Sequence, residues 1–140
     1  MLKRINHIGW AVKNLDQAIA LFEGAFRVKL HSREVVEAQG FEVASFVVGE
    51  GLVELMAPLR PNSMISGFLD KRGEGIHHVA FEVDDLEAEL AGLDQAGLQR
   101  TTPEPRIGLG GTETIFFHPK TTCGALIELV ELPKTESPAR

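Results

Sequence analysis

The chain has no tyrosine, one tryptophan and one cysteine among 140 residues. A lone thiol, Cys123, excludes an internal disulfide and fits a reducing compartment. Also missing is any apolar run of about 18 residues, so no segment is expected to span a membrane. Basic residues are outnumbered, with 14 Lys and Arg against 20 Asp and Glu and a formal charge of −6. That balance argues against nucleic acid as the main partner, because phosphate binding needs a basic face. It leaves room for a local basic patch that takes a small anionic ligand. The opening Met1-Leu2-Lys3-Arg4, with Asn6, His7 and Lys13 close behind, is too polar for a signal peptide, and a cytoplasmic chain is expected. What is present is ordinary for a folded protein: 44% hydrophobic residues and enough length for one domain, 1–140, with a single core.

The chain repeats itself at an offset of 71 positions. His7-Ile-Gly-Trp-Ala-Val12-Lys-Asn-Leu15-Asp16 lines up with His78-Val-Ala-Phe-Glu-Val83-Asp-Asp-Leu86-Glu87. Farther on, Ala20 meets Ala91 and Ala25 meets Ala96. Each copy opens on a short strand, about residues 4–12 and 76–83, whose side chains alternate. A turn with Asn14, or Asp84-Asp85, supplies a helix cap. Ala18, Leu21, Phe22 and Ala25, and later Leu86, Leu90 and Leu93, follow helical spacing, and Gly97 closes the second helix. Strands end each copy. Phe41–Val48 and Leu52–Ala57 flank a Gly49-Glu50-Gly51 hairpin, and Thr112–Phe117 and Ala125–Leu132 flank a longer loop. The order, βα followed by strands, twice, predicts an α+β fold. Its modules cover about 1–60 and 75–132, joined by a linker at about 61–74 with a short helix around Ile65, Phe68 and Leu69, and followed by a frayed tail at 133–140.

Strand parity singles out four residues. In the first strand Ile8, Trp10 and Val12 share one face, and His7 lies opposite with Gly9 and Ala11. Glu54 opposes Val53 and Leu55, His78 opposes Val79, Phe81 and Val83, and Glu128 opposes Ile127 and Leu129. Each copy thus offers one His from its first strand and one carboxylate from its last, 47 and 50 positions apart. A lone His at a strand start is usually structural, and a lone Glu in an apolar strand often faces solvent. Four such residues at matching places in two copies point instead to a shared site for a divalent ion such as Co, Ni, Zn or Mn. A carboxylate buried without a cation or donors is expensive.

Other polar residues carry less. His77 points away from His78 by parity and reads as a core residue or a group backing the site. His118-Pro-Lys120 lies in a loop, where Lys120 is a candidate contact for an anionic substrate. His31 reads as surface. Gly108-Leu-Gly-Gly111 lacks the Lys-Ser/Thr of a phosphate loop and reads as a flexible loop. Cys123 has no evident base partner and no catalytic role is given to it.

On these residues the chain resembles the vicinal oxygen chelate superfamily and, within it, the methylmalonyl-CoA epimerase family, from Ile5 to about Leu132. The segments are His7-Ile-Gly-Trp-Ala-Val, Glu34-Val-Val-Glu-Ala-Gln39-Gly, Val53-Glu-Leu-Met-Ala-Pro58, Gly75-Ile-His-His78-Val-Ala-Phe, Val83-Asp-Asp-Leu, Phe117-His-Pro-Lys120 and Gly124-Ala-Leu-Ile-Glu128-Leu. The resemblance implies two tandem βαβββ modules forming a U-shaped mixed sheet around a metal site. It implies metal ligands at His7, Glu54, His78 and Glu128, with Co²⁺ favoured, and substrate contacts at Lys120 and Gln39. It also implies an acyl-CoA substrate, interconversion of (2R)- and (2S)-methylmalonyl-CoA, and a homodimer.

The residues suit that chemistry. Removing the C2 proton makes an enolate whose charge a divalent cation can hold. Epimerisation needs a base on one face of C2 and an acid on the other. Glu128 is the first candidate, as ligand and base. Some relatives carry a second Glu where this chain has Val43, and Glu42 beside it is aimed at the opposite face. The second group stays open: Glu42 after a register shift, a metal-bound water, or another residue. Glyoxalase I-type lyase activity is the nearest alternative, against which the His-Pro-Lys loop and Gln39-Gly40 weigh. An iron dioxygenase is disfavoured by Glu54 and the absence of Tyr. A bleomycin-resistance-type binding protein would not need four intact ligands.

Overall fold

The computed structural model describes residues 1–134; most of the tail expected to fray lies outside the described residues. The chain runs β1 (Arg4–Ala11), α1 (Leu15–Gly24), β2 (Leu30–Val36), β3 (Phe41–Val48) and β4 (Gly51–Pro58), then α2 (Met64–Arg72). It continues β5 (Gly75–Glu82), α3 (Leu86–Gln95), β6 (Arg106–Ile107), β7 (Glu113–Phe117) and β8 (Ile127–Glu131). The strands form one eight-stranded mixed sheet in the order β2-β3-β4-β1-β5-β8-β7-β6. The expected α+β class and the repeated order are both present. Two compact units divide the residues: Asn6–Val79, and Met1–Ile5 with Ala80 onward.

Local chemistry starts and stops the helices as expected. Asn14 accepts a hydrogen bond from the Gln17 amide at 3.0 Å, and Asp85 accepts one from Ala88 at 3.0 Å. Ser63 caps α2 through the Ser66 amide at 3.1 Å. Gly97, at φ 90°, takes the left-handed turn that lets the chain leave α3.

In the unit Asn6–Val79, β1 runs parallel to β4, and β3 runs antiparallel to both β4 and β2. One sheet face packs on α1: Val12, Leu15, Ile19, Ala44, Phe46, Leu55 and Ala57 are buried together, with Trp10 and Phe22 against them. Phe46 and Leu55 are fully buried, and side chains of that size each contribute about 1.5–3 kcal/mol. The opposite face is partly closed by α2, where Ile65 and Leu69 meet Ala11, Phe41, Val43 and Met56. The linker helix therefore roofs one end of the face that carries His7 and Glu54.

The other unit has a single apolar cluster among the described residues, between α3 and its strands: Val83, Leu86, Leu90, Ile115, Phe117 and Leu129. Glu82 is buried and accepts a hydrogen bond from Arg4 at 2.6 Å. Two strands go beyond the sequence reading. β2 is an edge strand with mostly exposed side chains, and β6 is two residues long, so neither shows an apolar alternation.

Candidate metal centre

β1 buries every second residue, His7, Gly9 and Ala11, and β5 does the same from His78 on. His7 and His78 are 8% and 5% exposed. Their Nε2 atoms stand 3.0 Å apart and the rings meet edge to face at 5.1 Å. Glu54 Oε2 is 3.5 Å from the His7 Nε2. Three of the four expected donors are thus gathered within the unit Asn6–Val79. Two nitrogens held by one ion at about 2.0–2.1 Å each stand about 3 Å apart when they subtend a right angle. The spacing and the donor set both fit a divalent cation.

Each imidazole is backed by the residue before it. His7 Nδ1 is 2.7 Å from Asn6 Oδ1, so the ring donates there and turns its Nε2 lone pair inward. His78 Nδ1 is 2.9 Å from His77 Nδ1. When His78 is the donor in that pair, its Nε2 is likewise the lone-pair atom. Asn6 and His77 occupy the same place in the two repeats. His77 is steadied by Phe68, whose ring lies edge to face at 5.0 Å. Parity alone sends Asn6 and His77 away from the site, yet both side chains reach the ring beside them. The doubling of polar residues before each His was the available signal.

Gly9 is a further residue the pattern concealed. A Cβ there would lie 2.1 Å from His78 Cε1 and 2.4 Å from its Nδ1, so the ring occupies the space a side chain would need. The equivalent residue in the second repeat is Ala80, fully buried.

Glu128 belongs to the other unit. It lies on β8 between Ile127 and Leu129, which face α3, and it is 6% exposed. Lys120 is exposed in a one-turn 3₁₀ segment, Pro119–Thr121. Beside it, His118 Nδ1 is buried without a hydrogen-bond partner. Gln39 is half-buried in the turn before Gly40. Arg60 fixes that turn by donating to the Glu37 and Ala38 carbonyls at 3.2 and 3.4 Å. His31 is exposed, as expected. Glu42 is committed elsewhere. The β3–β4 pairing runs from Phe41↔Pro58 to Val48↔Gly51 with no slip, which leaves Glu42 on the α1 face and Val43 on the face of Glu54. Arg33 donates to Asp16 at 2.6 Å and to Glu42 at 3.3 Å. Asp16 first, and Glu42 second, hold the Arg33 guanidinium above its usual pKa.

A fold with two modules, a pair of facing histidines and a neighbouring carboxylate defines a class of metal-site proteins. The model of the glyoxalase/bleomycin resistance protein/dioxygenase superfamily matches residues 6–116, and the chain belongs to that superfamily. Within it, the chain is an isomerase of the methylmalonyl-CoA epimerase type. It is 34% identical to the ethylmalonyl-CoA/methylmalonyl-CoA epimerase of Cereibacter sphaeroides, covering 94% of this chain and 100% of that protein. Identity to the human mitochondrial methylmalonyl-CoA epimerase is 33%, over 91% of this chain and 73% of that protein. The Streptomyces coelicolor methylmalonyl-CoA epimerase in complex with 2-nitronate-propionyl-CoA superposes with a TM-score of 0.90 at 35% identity, over 99% of this chain and 100% of that one. No helix among the described residues is long and apolar enough to cross a membrane.

Proposed function

We propose that this isomerase interconverts the (2R) and (2S) forms of methylmalonyl-CoA with a divalent cation held by His7, Glu54, His78 and Glu128. The observation that carries the reading is the 3.0 Å approach of two buried imidazoles beside the Glu54 carboxylate. Glu128 is the repeat partner of Glu54, and its burial in an apolar strand calls for a cation or strong donors. When bound, the cation supplies charge stabilisation for the enolate oxygen; cobalt is the ion we favour, ahead of nickel, zinc and manganese. Glu128 takes the C2 proton. Lys120 and Gln39 contact the substrate. The Cereibacter relative is named for two substrates, ethylmalonyl-CoA and methylmalonyl-CoA, which supports 2-alkylmalonyl thioesters of CoA as the substrate class. The protein acts as a cytoplasmic homodimer.

Purified protein loaded with Co²⁺ should exchange the C2 proton of methylmalonyl-CoA for deuterium, and Glu128→Ala should lose that exchange. Metal-loaded protein that exchanges nothing but converts the methylglyoxal–glutathione hemithioacetal would overturn the reading in favour of a glyoxalase.

A further inference from the structure

We propose that Arg106, on the edge strand β6, takes the phosphate groups of the CoA tail, with the tail laid across the open face of β7 toward Glu128. The inference rests on the epimerase reading above, which makes the substrate an acyl-CoA. Such a substrate is a small reacting group on a long anionic handle. A chain with a formal charge of −6 repels that handle unless a cation meets it locally. Every residue used here belongs to the unit from Ala80 onward. Residues directly opposite in an antiparallel pair point the same way. Phe116 opposes Glu128 and Thr114 opposes Val130, so β7 presents Thr114 and Phe116 on the Glu128 face. Arg106 opposes Thr114, which puts Arg106 on that face as well.

The other face is already filled. The one α-helix of this unit among the described residues, α3, packs there on Ile115, Phe117 and Leu129. Glu113 and Glu131 oppose one another on that same side, and Glu131 accepts a hydrogen bond from the Leu86 amide at 2.8 Å. On the Glu128 face of β6 to β8 the charged side chains are therefore Arg106 and Glu128. Thr114 and Phe116 are half-buried there and lie outside the cluster under α3. Arg106 is exposed. Arg4, Arg33 and Arg100 are held by Glu82, Asp16 and Asp94, whereas Arg106 has no such acid among the described residues. Its guanidinium is shaped to take a phosphate through two parallel hydrogen bonds. Arg106 stands two strands from Glu128 and two residues farther along, about 12 Å between backbones. The pantetheine arm spans a gap of that order between thioester and pyrophosphate. Thr114 offers a hydroxyl to the amides of the arm, and Phe116 offers a ring to its methyl groups.

The test compares methylmalonyl-CoA with methylmalonyl-pantetheine, which lacks the phosphates, on Co²⁺-loaded protein. Arg106→Gln should raise KM for the CoA ester by about 10-fold, leave kcat near wild type and leave KM for the pantetheine ester unchanged. Arg106→Lys, which keeps the charge, should recover part of the loss. Arg27→Gln removes an exposed charge from the other unit and should move neither KM. An unchanged KM for the CoA ester in Arg106→Gln, or an equal rise for both esters, would overturn the assignment while the epimerase reading stands. Calorimetric titration with propionyl-CoA tests Arg106 without turnover, and Arg106→Gln should bind it about 10-fold more weakly than wild type does. Should wild type epimerise neither ester while that difference in binding persists, the epimerase reading fails and the Arg106 assignment holds. Equal binding of propionyl-CoA by the two proteins means that Arg106 does not hold the tail.

Discussion

The opening strands of the two repeats, Asn6-His7-Ile8-Gly9 and His77-His78-Val79-Ala80, do the same job with different parts. Each places a buried imidazole on one face of the sheet and backs its Nδ1 with the preceding residue. The first uses an amide for that purpose and the second another imidazole. The second difference is larger. Gly9 leaves the space into which the His78 ring is set, whereas the matching Ala80 keeps its methyl in a fully buried position. The repeat is therefore symmetric in its donors and asymmetric in its packing. One imidazole lies over its neighbour's backbone, and only one of the two strands is cut back to admit it.

The strongest way to break that comparison is Gly9→Ala. A methyl 2.1 Å from the His78 ring must displace it, because the methyl is fixed to the β1 backbone and the ring is the part that can move. Metal affinity should fall by more than the 10- to 100-fold that follows loss of a backing residue, with the circular dichroism spectrum retained. The reciprocal change, Ala80→Gly, should leave metal affinity close to wild type and lower stability by about 1 kcal/mol in urea unfolding. Equal losses of metal in both variants would mean that the packing asymmetry has no bearing on the site.

The backing residues give the next effect. Asn6→Ala and His77→Ala should each weaken metal binding by about 10- to 100-fold in a competition titration. His77→Asn copies the arrangement of the first strand into the second and should retain more affinity than His77→Ala. No difference between those two would show that His77 serves packing against Phe68 alone.

The helix caps give the smallest effect. Asn14→Ala and Asp85→Ala occupy equivalent places and should each cost about 1 kcal/mol of stability in denaturant unfolding, without changing metal content. A metal loss from either would tie the site to helix placement in a way the sheet geometry does not require.

Much of this molecule is legible in the amino-acid sequence because the repeat doubles each signal. His7 with His78 and Glu54 with Glu128 stand out as pairs, and parity sets them opposite the apolar faces that pack on α1 and α3. The helix caps and the Gly97 exit follow local rules that hold in isolation. β2 is hidden because an edge strand paired on one side has no apolar face to alternate: Arg33, Glu34 and Val35 are exposed in succession. Gly9 reads as one more small residue until the His78 ring is seen above it. Asn6 and His77 defeat the parity argument because a side chain can bend around its own strand to reach the ring beside it. The role of α2 over Val43 and Met56 depends on where the linker docks, which no local pattern encodes.

Metal analysis of wild-type protein against His78→Ala tests the central claim most directly. Near-stoichiometric divalent metal in the wild type and almost none in the variant is the expected result. Equal metal content in the two proteins would contradict the assignment of the paired imidazoles as the heart of the site.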